Sequence, residues 1–187
     1  MAQANVPALQ RAGVDRPDEV VTADVTFDQS WRQELGDEVV TATYFGAAHT
    51  SGDAIVHFEN ANVVHLGDLV FNRIYPYVDR PAGANLRHWI TVLETAAQTY
   101  PRDAIYICGH SGAKFDVQVE HGDLLVFRDY LSGLLEQVSQ RIAAGESRET
   151  IVPLDNLPGF PDFHQPLPNR MAMNLGAAYD ELTADRG

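Results

Sequence analysis

The sequence predicts an α/β or α+β fold in which helices pack against a sheet. Three observations carry this expectation. Short runs rich in β-branched residues fill the stretch between residues 25 and 66. Strand-like and helix-like segments then alternate along the rest of the chain. Two of the later segments, residues 86–100 and 123–144, repeat apolar side chains at helical spacing.

In chain order, residues 5–11 read as a short helix, with Pro7 in its first turn and Gly13 ending it. Residues 14–24 are a connector, and Val25-Thr26-Phe27 reads as a brief strand. A hairpin follows: residues 30–35, a turn at Gly36-Asp37, and residues 38–45, whose alternation and β-branched content mark a strand. Both faces of that second arm are fairly apolar, as in a strand covered on both sides. Residues 54–58 and 63–66 are two central strands joined by Asn60-Ala61-Asn62. An aromatic loop spans residues 69–79. Asn85 caps a helix whose inward stripe includes Leu86, Leu93 and Ala97, and Pro101 stops it. Residues 104–108 form a uniformly apolar, buried strand, followed by a glycine-flanked turn at Gly109-His110-Ser111-Gly112. Asp123 caps a long helix that Gly145 terminates. A helical turn after Ser147, a proline-rich loop over residues 153–168 and a last helix over 169–182 complete the chain.

At 187 residues the chain reads as one domain, long enough to bury a core. Its net charge of −13, with 13 scattered basic residues, argues against nucleic acid or an anionic membrane as partner. No apolar run approaches the roughly 20 residues of a membrane span. Met1-Ala2-Gln3-Ala4-Asn5 lacks the basic and apolar regions of a secretory signal, so a cytoplasmic location is the default expectation, with a signal already removed from a precursor left open. The single cysteine, Cys108, falls inside an apolar strand and reads as inert packing.

Seven histidines are present, and each taken singly reads as a surface or hydrogen-bonded residue. His49, Asp68 and His110 differ by position. Each sits where an apolar strand meets a turn of small residues, the edge where sheets of this class gather functional groups. Two imidazoles and one carboxylate suit zinc, iron or manganese. Thr50 and Asp53 are placed to fix the His49 ring from behind.

Three stretches then carry a resemblance: Ala48-His49-Thr50-Ser51-Gly52-Asp53, Leu66-Gly67-Asp68-Leu69-Val70-Phe71 and Cys108-Gly109-His110-Ser111. In order and spacing they resemble the His-Thr-x-Gly-Asp, Gly-Asp-x-x-Phe and Gly-His-Gly signatures of the metallo-β-lactamase superfamily, with Ser111 where glycine is usual. The likeness covers roughly residues 25–144, and the last helix also fits. It implies an αβ/βα sandwich, two sheets face to face with helices outside. It also implies a zinc-dependent hydrolase in which His49 belongs to one metal position, His110 to a second, and Asp68 bridges them, with a hydroxide between the metals as nucleophile.

The departure is as informative. The superfamily's His-x-His-x-Asp-His motif occurs nowhere in this chain, and no histidine precedes His49. The resemblance therefore implies a partial sandwich lacking its amino-terminal portion, and three ligands where a dinuclear site uses seven. No catalytic residue is assigned, zinc is expected in a partial site only, and the substrate is unread. A sheet without its facing layer exposes an apolar face and an open edge, so a homodimer or a completing partner is expected. The competing expectation is a non-catalytic, self-associating module.

Overall fold

The computed structural model describes residues 23–155 and 157–184, so the helix expected at residues 5–11 lies outside them. Six strands form one sheet in chain order: β1 (Ser30–Leu35), β2 (Glu38–Thr43), β3 (Ile55–Phe58), β4 (Val63–Asn72), β5 (Ile105–Ser111) and β6 (Gln118–Val119). Four α-helices are described, α1 (Leu86–Thr99), α2 (His121–Ala143), α3 (Arg148–Ile151) and α4 (Arg170–Ala184), with a short 3-10 helix at Arg80–Ala82. The architecture is α/β, as the sequence predicts.

The first four strands form an antiparallel meander, because two-residue and four-residue turns of Gly, Asp and Asn join β1 to β2 and β3 to β4. The Glu38 carboxylate ties these two turns together. It accepts from the backbone N–H groups of Val39 (2.8 Å), Asn60 (2.8 Å) and Ala61 (2.9 Å). Strand β5 joins β4 in parallel after the α1 crossover, and β6 closes the far edge antiparallel to β5. Residues 25–27 make no strand. Val25 is 66% exposed, and no described strand lies beyond β1 to pair with them.

Register assigns the two sheet faces. Ile55, Val64, Tyr106 and Val119 are buried beneath the helices, where His57 meets the Tyr100 ring and Tyr106 meets His121. On α1 the buried residues Leu86, Trp89, Val92, Leu93 and Ala96 recur at helical spacing. The fully buried Trp89 ring donates its Nε1–H to the Leu69 carbonyl (2.9 Å), which satisfies the polar atom of a large core side chain. Glu181 of α4 reaches back to the start of α1, accepting from Leu86 and Arg87 N–H groups (2.9 Å each) and from Arg80 (2.8 Å). That carboxylate sits at the positive end of the α1 dipole. The opposite sheet face carries Val40 and Ala42, both buried, and Val56, Phe58, Val63, His65, Ile105 and Ile107, half-buried or exposed.

Two strand ends differ from expectation in ways that matter for the site. Strand β4 runs on to Asn72, although residues 69–72 read as a loop, because a bulge at Gly67 (φ +53°) shifts the register and lets pairing resume at Phe71 and Asn72. Strand β5 likewise continues through Gly109 and His110 to Ser111. Helix α2 starts at His121, with Glu120 as its cap and Asp123 as the reciprocal partner inside the first turn.

Candidate metal centre

Because β4 and β5 are parallel, their carboxyl ends share one edge of the sheet, and β3, antiparallel to β4, begins at that same edge. This topology brings the loop before β3, the middle of β4 and the end of β5 together. Each carries one of the three ligand-type residues.

His49 lies in a loop stitched to the start of α1. Ala48 N–H bonds to the Thr50 carbonyl (2.9 Å), Asn85 N–H to the Ala48 carbonyl (2.9 Å), and Ser51 N–H to the Ala82 carbonyl (2.9 Å). The His49 ring is 8% exposed and packs edge-on against Trp89, with centroids 5.3 Å apart, and against Phe71 at 5.6 Å. Its Nδ1 faces Asp53 Oδ1 at 3.7 Å, and its buried Nε2 has no hydrogen-bond partner among the described residues. Asp53 is itself anchored by Thr50, through the backbone N–H (2.7 Å) and the hydroxyl (2.9 Å). Burial pushes the Asp53 carboxyl up, but the His49 ring and the two Thr50 donors outweigh it and hold the group below the ordinary aspartate range.

Asp68 and His110 face each other, Oδ1 to Nε2 at 3.4 Å, and both are partly open to solvent. The His110 ring stacks on Phe71 with centroids 5.1 Å apart. Gly109 makes room for Asp68, since a Cβ there would collide with Asp68 Oδ1 and lie 2.9 Å from the Gly67 carbonyl carbon. Cys108 beside it is buried, its thiol donating to the His110 carbonyl (3.2 Å), and burial pushes its pKa up, so it stays a neutral packing group.

All three residues line one cavity of about 340 Å³, together with Phe71, Ile74, Tyr75, Tyr77, Pro166, Leu167 and Arg170. Its far wall is held by an aromatic stack in which Tyr130 packs on Phe163 (4.7 Å) and Tyr75 (5.7 Å), with Asn174 donating to the Tyr130 hydroxyl (2.9 Å).

The donor chemistry fits a borderline metal such as zinc. An orphaned, buried imidazole nitrogen, a second imidazole and a carboxylate open onto one space, and the first imidazole is backed by a carboxylate. The fit is that of a partial site. Among the described residues no three His, Cys, Asp or Glu side chains converge on one metal position. Arg170 belongs to the cavity and was not expected from sequence, whereas Tyr77 comes from the aromatic loop that the sequence marks. The one available signal was a basic residue opening a helix, where acids are usual.

The model of the metallo-beta-lactamase superfamily matches residues 3–110. Among solved structures, the stereoselective inverting sec-alkylsulfatase Pisa1 from Pseudomonas sp. is similar at 15% identity, over 86% of this chain and 27% of that one, with a TM-score of 0.63. The metallo-beta-lactamase IND-7 is 18% identical over 68% of this chain and 61% of its own, with a TM-score of 0.50. A metallo-beta-lactamase from Pontibacter korlensis is 20% identical over 67% of this chain and 61% of its own, with a TM-score of 0.49. The chain thus spans about 61% of the length of these two lactamases and 27% of the sulfatase. At such identities the likeness is one of fold. Among curated proteins there is no match.

Proposed function

The chain belongs to the metallo-beta-lactamase superfamily, and on that premise we propose that it supplies one wall of a zinc-dependent hydrolase site whose remaining ligands come from outside the described residues. The observation that carries this reading is the convergence of His49, Asp68 and His110 on one cavity, with His49 Nε2 buried and unpaired there. His49, Asp68 and His110 would hold the metal, Asp68 between the two imidazoles in a shared role. Bound zinc supplies Lewis-acid polarisation of the bond to be hydrolysed. The chain's own groups orient and exclude. Asp53 and Thr50 fix the His49 ring, Phe71 supports His110, and the aromatic wall keeps water away from one side of the cavity.

The partly exposed apolar face of the sheet supports a second part of the proposal. A second copy of the chain, or a completing partner, covers that face and furnishes the missing ligands. The alternative, a non-catalytic module that self-associates, is favoured because no three ligand-type side chains among the described residues lie close enough to hold one metal ion.

Zinc stoichiometry decides between them. Equilibrium dialysis of the purified full chain, with metal content read by mass spectrometry, is expected to give measurable uptake of no more than one zinc per chain. Two per chain overturns the one-wall reading, and none removes the metal site. His110→Ala is expected to abolish the uptake while leaving the melting temperature within a few degrees, since that side chain is 55% exposed. Loss of the fold instead marks His110 as structural.

A further inference from the structure

Arg170 is the cavity's one guanidinium, and its surroundings do not account for it. The group lies over the Tyr77 ring, 4.8 Å from the centroid, and lines the same cavity as His49, Asp68 and His110. A cation over an aromatic face satisfies the charge in part but leaves the in-plane N–H groups free. Here Nη1 is buried without a hydrogen-bond partner among the described residues. Burying a charged donor unpaired is costly, so such a group implies an acceptor that is present in the functional state.

A second observation points the same way. Arg170 is the first residue of α4, a helix of 15 residues with no acidic residue in its first turn. The positive end of a helix dipole disfavours a cation and favours an anion. A guanidinium and a helix amino terminus together make a locally positive corner in a chain whose net charge is −13. An anion seated there removes both penalties at once, through the paired N–H geometry that arginine offers to oxyanions. The rest of the wall is apolar: Phe71, Ile74, Tyr75 and Leu167.

We infer that Arg170 is the anion receptor of this cavity, and that the ligand is a small amphiphile whose oxyanion head, carboxylate or phosphate in type, pairs with Arg170 while its hydrocarbon body lies along Phe71, Ile74 and Tyr75. This rests on the reading of the cavity as the substrate side of a hydrolase site, and it narrows the substrate class to anionic molecules. Tyr77 is the positioning residue, its ring holding the guanidinium plane over the opening.

The test is calorimetric titration of the full chain with hexanoate, hexyl phosphate and the neutral hexanol. The wild-type chain is expected to bind at least one of the anions and to prefer it over hexanol by about tenfold or more. A general surface effect in so acidic a chain runs in the opposite direction. Binding of hexanoate alone or hexyl phosphate alone assigns the head group. Arg170→Met is expected to remove the preference for the anion while retaining any hexanol binding, and Arg170→Lys to keep part of it. Equal affinity of the wild-type chain for anion and alcohol, or no binding of either anion, overturns the inference without any variant. So does an Arg170→Met chain, folded by circular dichroism, that keeps the preference. Zinc uptake by the wild-type chain is measured separately. Anion binding without zinc uptake removes the metal reading and leaves Arg170 as receptor, and zinc uptake without anion preference does the reverse.

Discussion

An imidazole offers a lone pair from one nitrogen only when its proton sits on the other, and in this chain the Asp53 carboxylate lies on the Nδ1 side of the His49 ring. With Nδ1 3.7 Å from the Asp53 carboxylate and Nε2 buried without a partner among the described residues, the Asp53 charge favours the proton on Nδ1, the tautomer that leaves Nε2 for a metal. Asp53→Asn keeps an acceptor for Thr50 but loses the negative charge, and it is expected to weaken zinc binding by about ten- to a hundredfold. Competition against a zinc-sensitive dye measures this, and unchanged affinity shows that Asp53 serves the loop alone. Gly109 matters for a different reason. Its backbone is ordinary in φ, so the constraint is space: a methyl group meets Asp68 Oδ1. Gly109→Ala is expected to displace the Asp68 carboxylate and lower zinc uptake, at a stability cost of about 1–3 kcal/mol. Denaturant titration together with dialysis separates the two effects. If uptake holds at wild-type level, Asp68 is not a ligand.

At the scale of elements, the turns that organise the sheet depend on a single half-buried carboxylate. The backbone N–H of Asn60 is the largest influence on Glu38, with those of Ala61 and Val39 beside it, and together they hold its pKa below the ordinary glutamate value. A carboxyl with a depressed folded-state pKa adds stability that is present above its unfolded pKa, about 4.3, and lost as pH falls through the folded value. Glu38→Gln is therefore expected to melt below the wild-type chain at neutral pH, with the gap closing under acid. Thermal melts between about pH 3 and pH 7 measure it, and a gap independent of pH contradicts the assignment. The Gly36-Asp37 hairpin and helix α1 were legible in sequence because their signals are local: a turn, an alternation, a cap and a stripe. Residues 69–72 were not, since the bulge at Gly67 arises from pairing with β5, more than thirty residues away. Strand β6 is two residues long and has no periodicity to read. For the site, His49, Asp68 and His110 could be singled out from strand ends and motif spacing. Arg170 reaches the cavity only because the aromatic stack of Tyr130 and Phe163 folds the proline-rich segment back over Tyr75.

For the whole molecule, the question is what covers the second face of the sheet. The helices bury one face, while Val56, Phe58, Val63 and Ile107 remain half-buried on the other and Ile105 is 44% exposed. Each apolar side chain removed from water contributes about 25 cal/mol per Å² of area, so the row Phe58–Val63–Ile105, with Val56 and Ile107 on either side of His65, is a drive to association. The outer edge strand β1 resists indefinite growth, because Arg32 and Glu34 are charged and exposed along it. Face-to-face pairing of two copies is then favoured over edge-to-edge stacking, and it has a closed stoichiometry. Sedimentation velocity across a concentration series is expected to show a monomer–dimer equilibrium. Ile105→Glu places a charge on that face, at the amino end of β5, without touching the helix side of the sheet, and is expected to move the equilibrium to about tenfold or higher concentration. A wild-type chain that stays monomeric throughout excludes self-pairing, and a dimer indifferent to Ile105→Glu places the interface elsewhere. If the dimer also binds more zinc per chain than the Ile105→Glu monomer, the second copy supplies ligands as well as cover.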